Sequence, residues 1–211
     1  MTQIERIEAS GGQRRRVLVY LTDGACLRIT EQELLDFGLR AGDELDEEMR
    51  SRLKAAAGVS DTRAAAAEIM GRRAMSRRDL ERKLQEKGAS QTEARYAAEW
   101  MEAIGAINDS EYAAMLVRHY GGQGYGPGRV REKLREKGVP RELWDDALDQ
   151  LPPAEEQIDA FLGNQLRGAV PDVKQQKKLA AALVRRGFSW SDVRSAMSRY
   201  GAELPDDGEN L

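Results

Sequence analysis

The chain has one cysteine, Cys26, and one histidine, His119, among its 211 residues. A single thiol excludes an internal disulfide and any site built from several cysteines, and a single imidazole excludes HExxH and other His-rich metal centres. Aromatic residues are scarce at 6%, while charged residues reach 33% against 41% hydrophobic. That balance favours many thin amphipathic elements over one deep core. No run approaches the ~18 apolar residues needed to cross a bilayer. The opening MTQIERIEASGG lacks the apolar stretch of a secretory leader, so a cytoplasmic protein without membrane contact is expected. The Gly-Lys dipeptide of a P-loop and a GxSxG nucleophile elbow are both missing, so no enzyme, cofactor or metal site is expected.

Net charge is only −3, but the charges are unevenly spread. Between Glu31 and Asp61 nine acidic residues face four basic ones. Basic residues then dominate three stretches: seven to three over Arg72–Lys87, six to two over Arg129–Arg141 and eight to two over Arg167–Arg199. The end is acidic again, through Glu203, Asp206, Asp207 and Glu209. An acidic front followed by basic segments at intervals suits a polyanion or an acidic protein partner.

The first 58 residues read as a small extension. Val17–Leu21 and Ala25–Ile29 are short apolar runs separated by Thr22-Asp23-Gly24, the signature of a hairpin. Thr30 and Glu33 form a capping box that opens a short helix. Asp46 caps another helix from Glu47 to Ala57, which Gly58 is expected to stop.

Beyond Ser60 the sequence reads as helix, and it repeats. LERKLQEKGAS, VREKLREKGVP and LAAALVRRGFS align on Leu80, Leu84 and Gly88, on Val130, Leu134 and Gly138, and on Leu179, Leu183 and Gly187. Apolar residues at i and i+4 share a helix face, and the glycine supplies a left-handed cap. The register continues into a second helix through Ala94, Trp144 and Val193, then Ala98, Leu148 and Met197. Ser90 with Glu93 and Ser189 with Asp192 are capping boxes, and Pro140 fills that place in the middle copy. A third helical stretch precedes each pair, at about Asp61–Ala74, Asn108–Tyr120 and Ala154–Arg167. The expected architecture is mainly all-α, with three tandem three-helix repeats at 59–105, 106–151 and 152–201. An extension with a β-hairpin precedes them at 1–58, and an acidic tail follows at 202–211. Stacked repeats of this kind make an elongated curved rod.

GGQGYGPG, residues 121–128, has no strand before it and reads as a flexible connector rather than a phosphate cradle. The acid pairs Asp145/Asp149 and Glu155/Asp159 read as solvated helix faces. His119 reads as a helix-end residue. Trp100 and Trp144 read as core, while Trp190 stands open between a core position and an exposed anchor. The basic residues remain as the candidate site. On the helix from Gly128 to Lys137, Arg129, Lys133 and Lys137 line one flank and Arg131 and Arg135 another. Lys174, Lys177, Lys178, Arg185 and Arg186 recur in the third copy. Together they make a stripe suited to phosphate neutralisation or to an acidic protein groove.

These residues also resemble a known family, the regulatory RecX proteins that modulate the RecA recombinase. In RRAMSRRDLERKLQEKG the pattern falls on Arg73, Ser76, Asp79, Leu80, Leu84 and Gly88, with Asp79 where the family usually has Glu. Gly105, Asp109, Tyr112 and Ala113 carry a second motif. Gly126, Arg129, Val130, Leu134, Lys137 and Gly138 carry a third, and Arg186–Ser189 a fourth. The resemblance spans about Asp61 to Tyr200. It implies a non-catalytic monomer that binds in the groove of the RecA–DNA filament, limits its growth and lowers ATP hydrolysis and strand exchange. Recombination, repair and the SOS response are the processes this concerns. DNA itself, single- or double-stranded, is the alternative partner. Arg73, Arg129 and Arg186 are the matched positions suited to surface contact.

Overall fold

The computed structural model describes residues 2–10, 16–202 and 204. It is mainly helical, with ten α-helices and 61% helix, and it carries a small strand region near the N-terminus. The chain divides into two compact units, residues 1–74 with 79–107 and residues 75–78 with 108–211.

The first unit is built on a four-stranded antiparallel sheet of order β3-β2-β1-β4, formed by β1 (Thr2–Ala9), β2 (Arg16–Leu21), β3 (Cys26–Thr30) and β4 (Glu44–Leu45). The expected hairpin is the β2–β3 pair. The sequence reading missed β1, and the pairing explains why. The β1–β2 register shifts between Ile4 and Arg6, and this bulge lets Ile4 and Ile7, three apart in sequence, pack on the same core. Strict alternation, the usual strand signal, is broken there.

Helix α1 (Glu31–Asp36) opens with the expected Thr30–Glu33 capping box. Helix α2 (Glu47–Met70) begins at Asp46 as expected but does not stop at Gly58. It runs on for 24 residues, so the boundary expected between residues 58 and 59 falls inside a helix. Gly58 serves packing instead: a Cβ there would lie 2.2 Å from Oε1 of Glu93. The same Glu93 closes the capping box with Ser90 at the start of α4 (Gln91–Ala103). Helix α3 (Arg77–Glu86) buries Leu80 and Leu84, and α4 buries Ala94, Ala97, Ala98 and Met101. Alanine on the buried face lets helices approach closely.

The second unit contains α5 (Asp109–Gly122), α6 (Pro127–Glu136), a 3-10 turn (Arg141–Leu143), α7 (Trp144–Leu148), α8 (Ala154–Leu166), α9 (Val173–Arg185) and α10 (Trp190–Arg199). The register residues are interior: Val130, Leu134, Leu183, Val193 and Met197 are fully buried. Gly88, Gly138 and Gly187 all have positive φ, as expected of left-handed caps. Pro140 caps without a side-chain acceptor and is followed by the 3-10 turn, so the middle copy's second helix is much shorter than expected. At Ser189 only half of the expected box forms: its hydroxyl accepts from Asp192 N, and the aspartate side chain is one methylene shorter than the glutamate of a full box.

The glycine-rich segment at 121–128 joins α5 to α6 as expected of a connector, and backbone hydrogen bonds tie it down. Gly126 N–H donates to Arg186 O at 2.8 Å and Gly128 N–H to Gly187 O at 2.9 Å. The end of α9 is thus sealed against the start of α6. Helix α6 has no side-chain cap at Gly126, so carbonyls from the opposite pole of another helix satisfy its first amides. At the other end of α6, Ser76 Oγ donates to Lys137 O at 2.6 Å.

These contacts make two glycines unequal despite a shared backbone conformation. Gly88→Ala meets no neighbouring atom and should cost only the ~1–2 kcal/mol of a left-handed alanine. A Cβ on Gly187 would lie 2.1 Å from Arg129 N, so Gly187→Ala adds overpacking of ~1–3 kcal/mol. Urea unfolding should register a clearly larger loss for Gly187→Ala, and equal losses would refute the sealed junction.

Candidate partner-binding surface

Helix α6 turns Val130 and Leu134 inward, and this fixes where its four cations point. Arg129 and Lys133 lie beside the helix's two acids. Arg129 bonds to Glu132, and Lys133 Nζ is 2.7 Å from Glu136 and 6.0 Å from the Tyr120 ring. The hydrogen bond to Glu132 raises the Arg129 guanidinium above its ordinary value, and the bond from Lys133 holds the Glu136 carboxyl below the usual carboxylate range. The charged forms of Arg129 and Glu136 are thereby favoured, each beside an opposite charge on the same helix. Arg131 and Arg135 are exposed on the other flank and make no ion pair among the described residues. Two flanks that look equivalent in sequence differ in available charge.

The other candidates divide in the same way. Lys177 and Lys178 are exposed on α9, Arg185 is exposed at its end, and Lys137 is half-buried at the end of α6. Arg186 serves the fold: it caps α9, lies 4.6 Å over the Phe161 ring and is half-buried. Trp190, left open in sequence, is half-buried against the core of Ile158, Leu183 and Val193. The α9–α6 junction brings the Arg185–Arg186 end of one helix onto the Arg129 start of the other. Arg73 is exposed in the turn after α2, in the first unit.

Trp100 is half-buried rather than core, with the Arg63 guanidinium 5.5 Å from its ring. Sequence reasoning passed over the residues around it. Tyr96 and Ile104 are 47% and 56% exposed, and the available signal was their i, i+4, i+8 spacing with Trp100.

Other chemistry finds little footing. Among the described residues no group of three or more His, Cys, Asp or Glu side chains converges to hold a metal, and no helix is long and apolar enough to cross a membrane. An open cleft of about 310 Å³ beside Gly88 includes Asp61, Lys87 and Glu93. Its acids are already engaged, Asp61 2.7 Å from the buried Arg16 and Glu93 accepting from Ser90 N at 2.9 Å.

Residues 108–148 match the model of the RecX second three-helix domain. The chain is 33% identical over 140 residues to regulatory protein RecX of Xanthomonas axonopodis pv. citri, covering 64% of this chain and 84% of that one. It is 26% identical over 216 residues to regulatory protein RecX of Bacillus licheniformis, covering 99% and 81%. Its fold superposes on a crystal structure of regulatory protein RecX with a TM-score of 0.72 at 26% identity, covering 94% of this chain and 100% of that one. RecX from Lactobacillus salivarius shares the fold, with a TM-score of 0.60 at 21% identity over 68% of this chain and 97% of that one. With a relative above 30% identity matched over most of its length, the chain belongs to the RecX family of regulatory proteins.

Proposed function

We propose that this chain binds RecA recombinase filaments in the cytoplasm and limits their growth, ATP hydrolysis and strand exchange, acting as a non-enzymatic monomer built of three tandem three-helix repeats. Family membership supports the reading. The observation that carries it is the divided surface of α6, where Arg131 and Arg135 are exposed without ion pairs while Arg129 and Lys133 are neutralised on their own helix. The contact cations are then Arg131 and Arg135, with Lys137, Lys177, Lys178, Arg185 and Arg73 in support. Arg129, Arg186 and Trp190 act through the fold.

A protein groove is favoured over bare DNA as the acceptor. The chain is acidic overall, and nine acids between Glu31 and Asp61 repel a phosphate backbone. Exposed charge pairs at an interface rim act mainly on association rate, each contributing ~0.2–1 kcal/mol.

The paired substitutions R131E/R135E and R129E/K133E test this reading. Losing two rim pairs and gaining two repulsions of ~0.3–0.5 kcal/mol each gives about a tenfold weaker filament complex for R131E/R135E. R129E/K133E should lose less, because those cations are already spent. Binding to RecA-coated and naked single-stranded DNA across salt is the measurement. Equal loss on naked DNA, with a log–log salt slope shallower by ~1.4 for two lost strand phosphate contacts, would move the assignment to direct DNA binding. RecA's DNA-dependent ATP hydrolysis should fall at substoichiometric amounts of the wild-type chain, and an unchanged rate would overturn the filament reading.

A further inference from the structure

The first unit carries an apolar stripe that is left partly exposed. Tyr96, Trp100 and Ile104 follow one another at four-residue steps along α4 and its cap, on one side of the helix. The buried side is occupied by Ala94, Ala97, Ala98 and Met101. Nearly half of Tyr96 and more than half of Ile104 remain exposed.

The chain itself provides a control. In the register set by Gly88, Gly138 and Gly187, the positions of Tyr96 and Trp100 are held by Asp146 and Gln150 in the middle copy. Ser195 and Arg199 hold them in the last. At the Trp100 position the polar residue still reaches the first helix of its copy: Gln150 Oε1, just past α7, accepts from Arg118 of α5 at 3.2 Å, and Arg199 of α10 lies 2.8 Å from Asp159 and 3.0 Å from Glu155 of α8. Packing in this architecture therefore works with polar side chains at both places. Only the first copy puts two aromatic rings there, with isoleucine one step further on.

Charge around the stripe selects the kind of partner. The Arg63 guanidinium is exposed, lies over Trp100 at 5.5 Å and makes no ion pair among the described residues. Arg95 sits 5.5 Å from the Tyr96 ring but is shared with Glu99 at 3.8 Å. Helix α4 carries Glu93, Glu99 and Glu102 against Arg95 alone. A stacking site for nucleic acid tracks the backbone with a groove of several cations, whereas here only Arg63 stands beside the stripe without an ion pair among the described residues, enough for one carboxylate but not for a run of phosphates. Tyrosine, tryptophan and arginine with an apolar neighbour is the composition of a protein-binding hot spot. An arginine held on a ring beside apolar surface fits a partner that offers an apolar side chain with a carboxylate next to it.

We propose that Tyr96, Trp100 and Ile104, with Arg63, form a protein-docking face whose occupant is an apolar, carboxylate-bearing surface of a RecA protomer in the filament. This rests on the function proposed above and assigns to it a second contact, apolar where the α6 contact is ionic.

The chain's own replacements make the test. Y96D/I104A alters only exposed positions, and W100Q installs the middle copy's residue. Circular dichroism and urea midpoints check the fold, and Y96D/I104A keeps the test valid if W100Q loosens the α2–α4 contact. Affinity for RecA-coated single-stranded DNA should fall at least tenfold in each variant, and W100Q, which changes no charge, should retain the wild-type salt slope. Affinity within about twofold of wild type in folded Y96D/I104A would overturn the proposal while leaving the filament reading intact. Wild-type chain that fails to bind coated DNA would overturn both. Equal loss on naked strand would make the stripe a base-stacking platform. Wild-type dimers in sedimentation that the variants abolish would make the occupant a second copy. Either result refutes the assignment to RecA.

Discussion

The contact between Gly128 and Gly187 sets the geometry of the second unit. No side chain mediates it: two backbones touch, and a Cβ on Gly128 would lie 2.8 Å from the Gly187 carbonyl oxygen. The amides of Gly126 and Gly128 at the start of α6 lack a side-chain acceptor and find one in the carbonyls of Arg186 and Gly187, just past the end of α9, so the poles of two helix dipoles meet with opposite sign. Such a junction has one position and one rotation. With Val130 and Leu134 buried by that rotation, Arg131 and Arg135 have no direction left except outward. The charge pattern offered to a partner is thus a consequence of two glycines several residues away from it.

The first unit relies on a different constraint, a carboxylate at each turn where helices meet. Glu33 is buried, and its carboxylate accepts from Thr30 N and from the Ser60 hydroxyl, tying the start of α1 to the middle of α2. Glu93 closes the cap of α4 while resting on Gly58 of α2. Arg16, almost wholly buried in β2, is answered by Asp61 of α2. Burying a guanidinium requires such a partner. The long helix α2 is held along its length by these polar contacts as well as by alanines, which explains how a chain poor in large apolar residues builds an ordered unit.

These two devices also explain what the sequence disclosed. Periodicity reports side chains in a helix's own frame, so the leucines, valines and alanines at three- and four-residue steps were legible, as were the caps at Thr30, Asp46 and Ser90. Glycine is ambiguous in one dimension. The same residue type ends a helix at Gly88, lies within one at Gly58 and lets two backbones touch at Gly128, and only the neighbour in space tells these apart. The bulge near Ile4 hid a strand for a related reason, because it repairs in three dimensions an alternation that is broken in one. On the candidate surface, the basic residues were legible as a set. Their division was not, because it depends on which of several possible i, i+3 pairs form. Arg129–Glu132 and Lys133–Glu136 do, and they withdraw half the charge that counting assigns to α6.

The two proposed contacts, an ionic flank and an apolar stripe, would do different work. Exposed cations act over a Debye length of ~8 Å at physiological salt, so they speed encounter and orient approach without holding tightly. Apolar hot spots act only at contact and lengthen residence. Splitting the two roles between α6 and α4 places them in separate compact units. If both proposed contacts operate, a partner surface that meets only one of them would be held weakly, and one that meets both would be held more strongly through effective concentration. A filament repeats its subunit surface at a fixed spacing and a lone protomer does not. On the proposed function, selectivity for the assembled state would follow from the split itself, without either contact being strong alone.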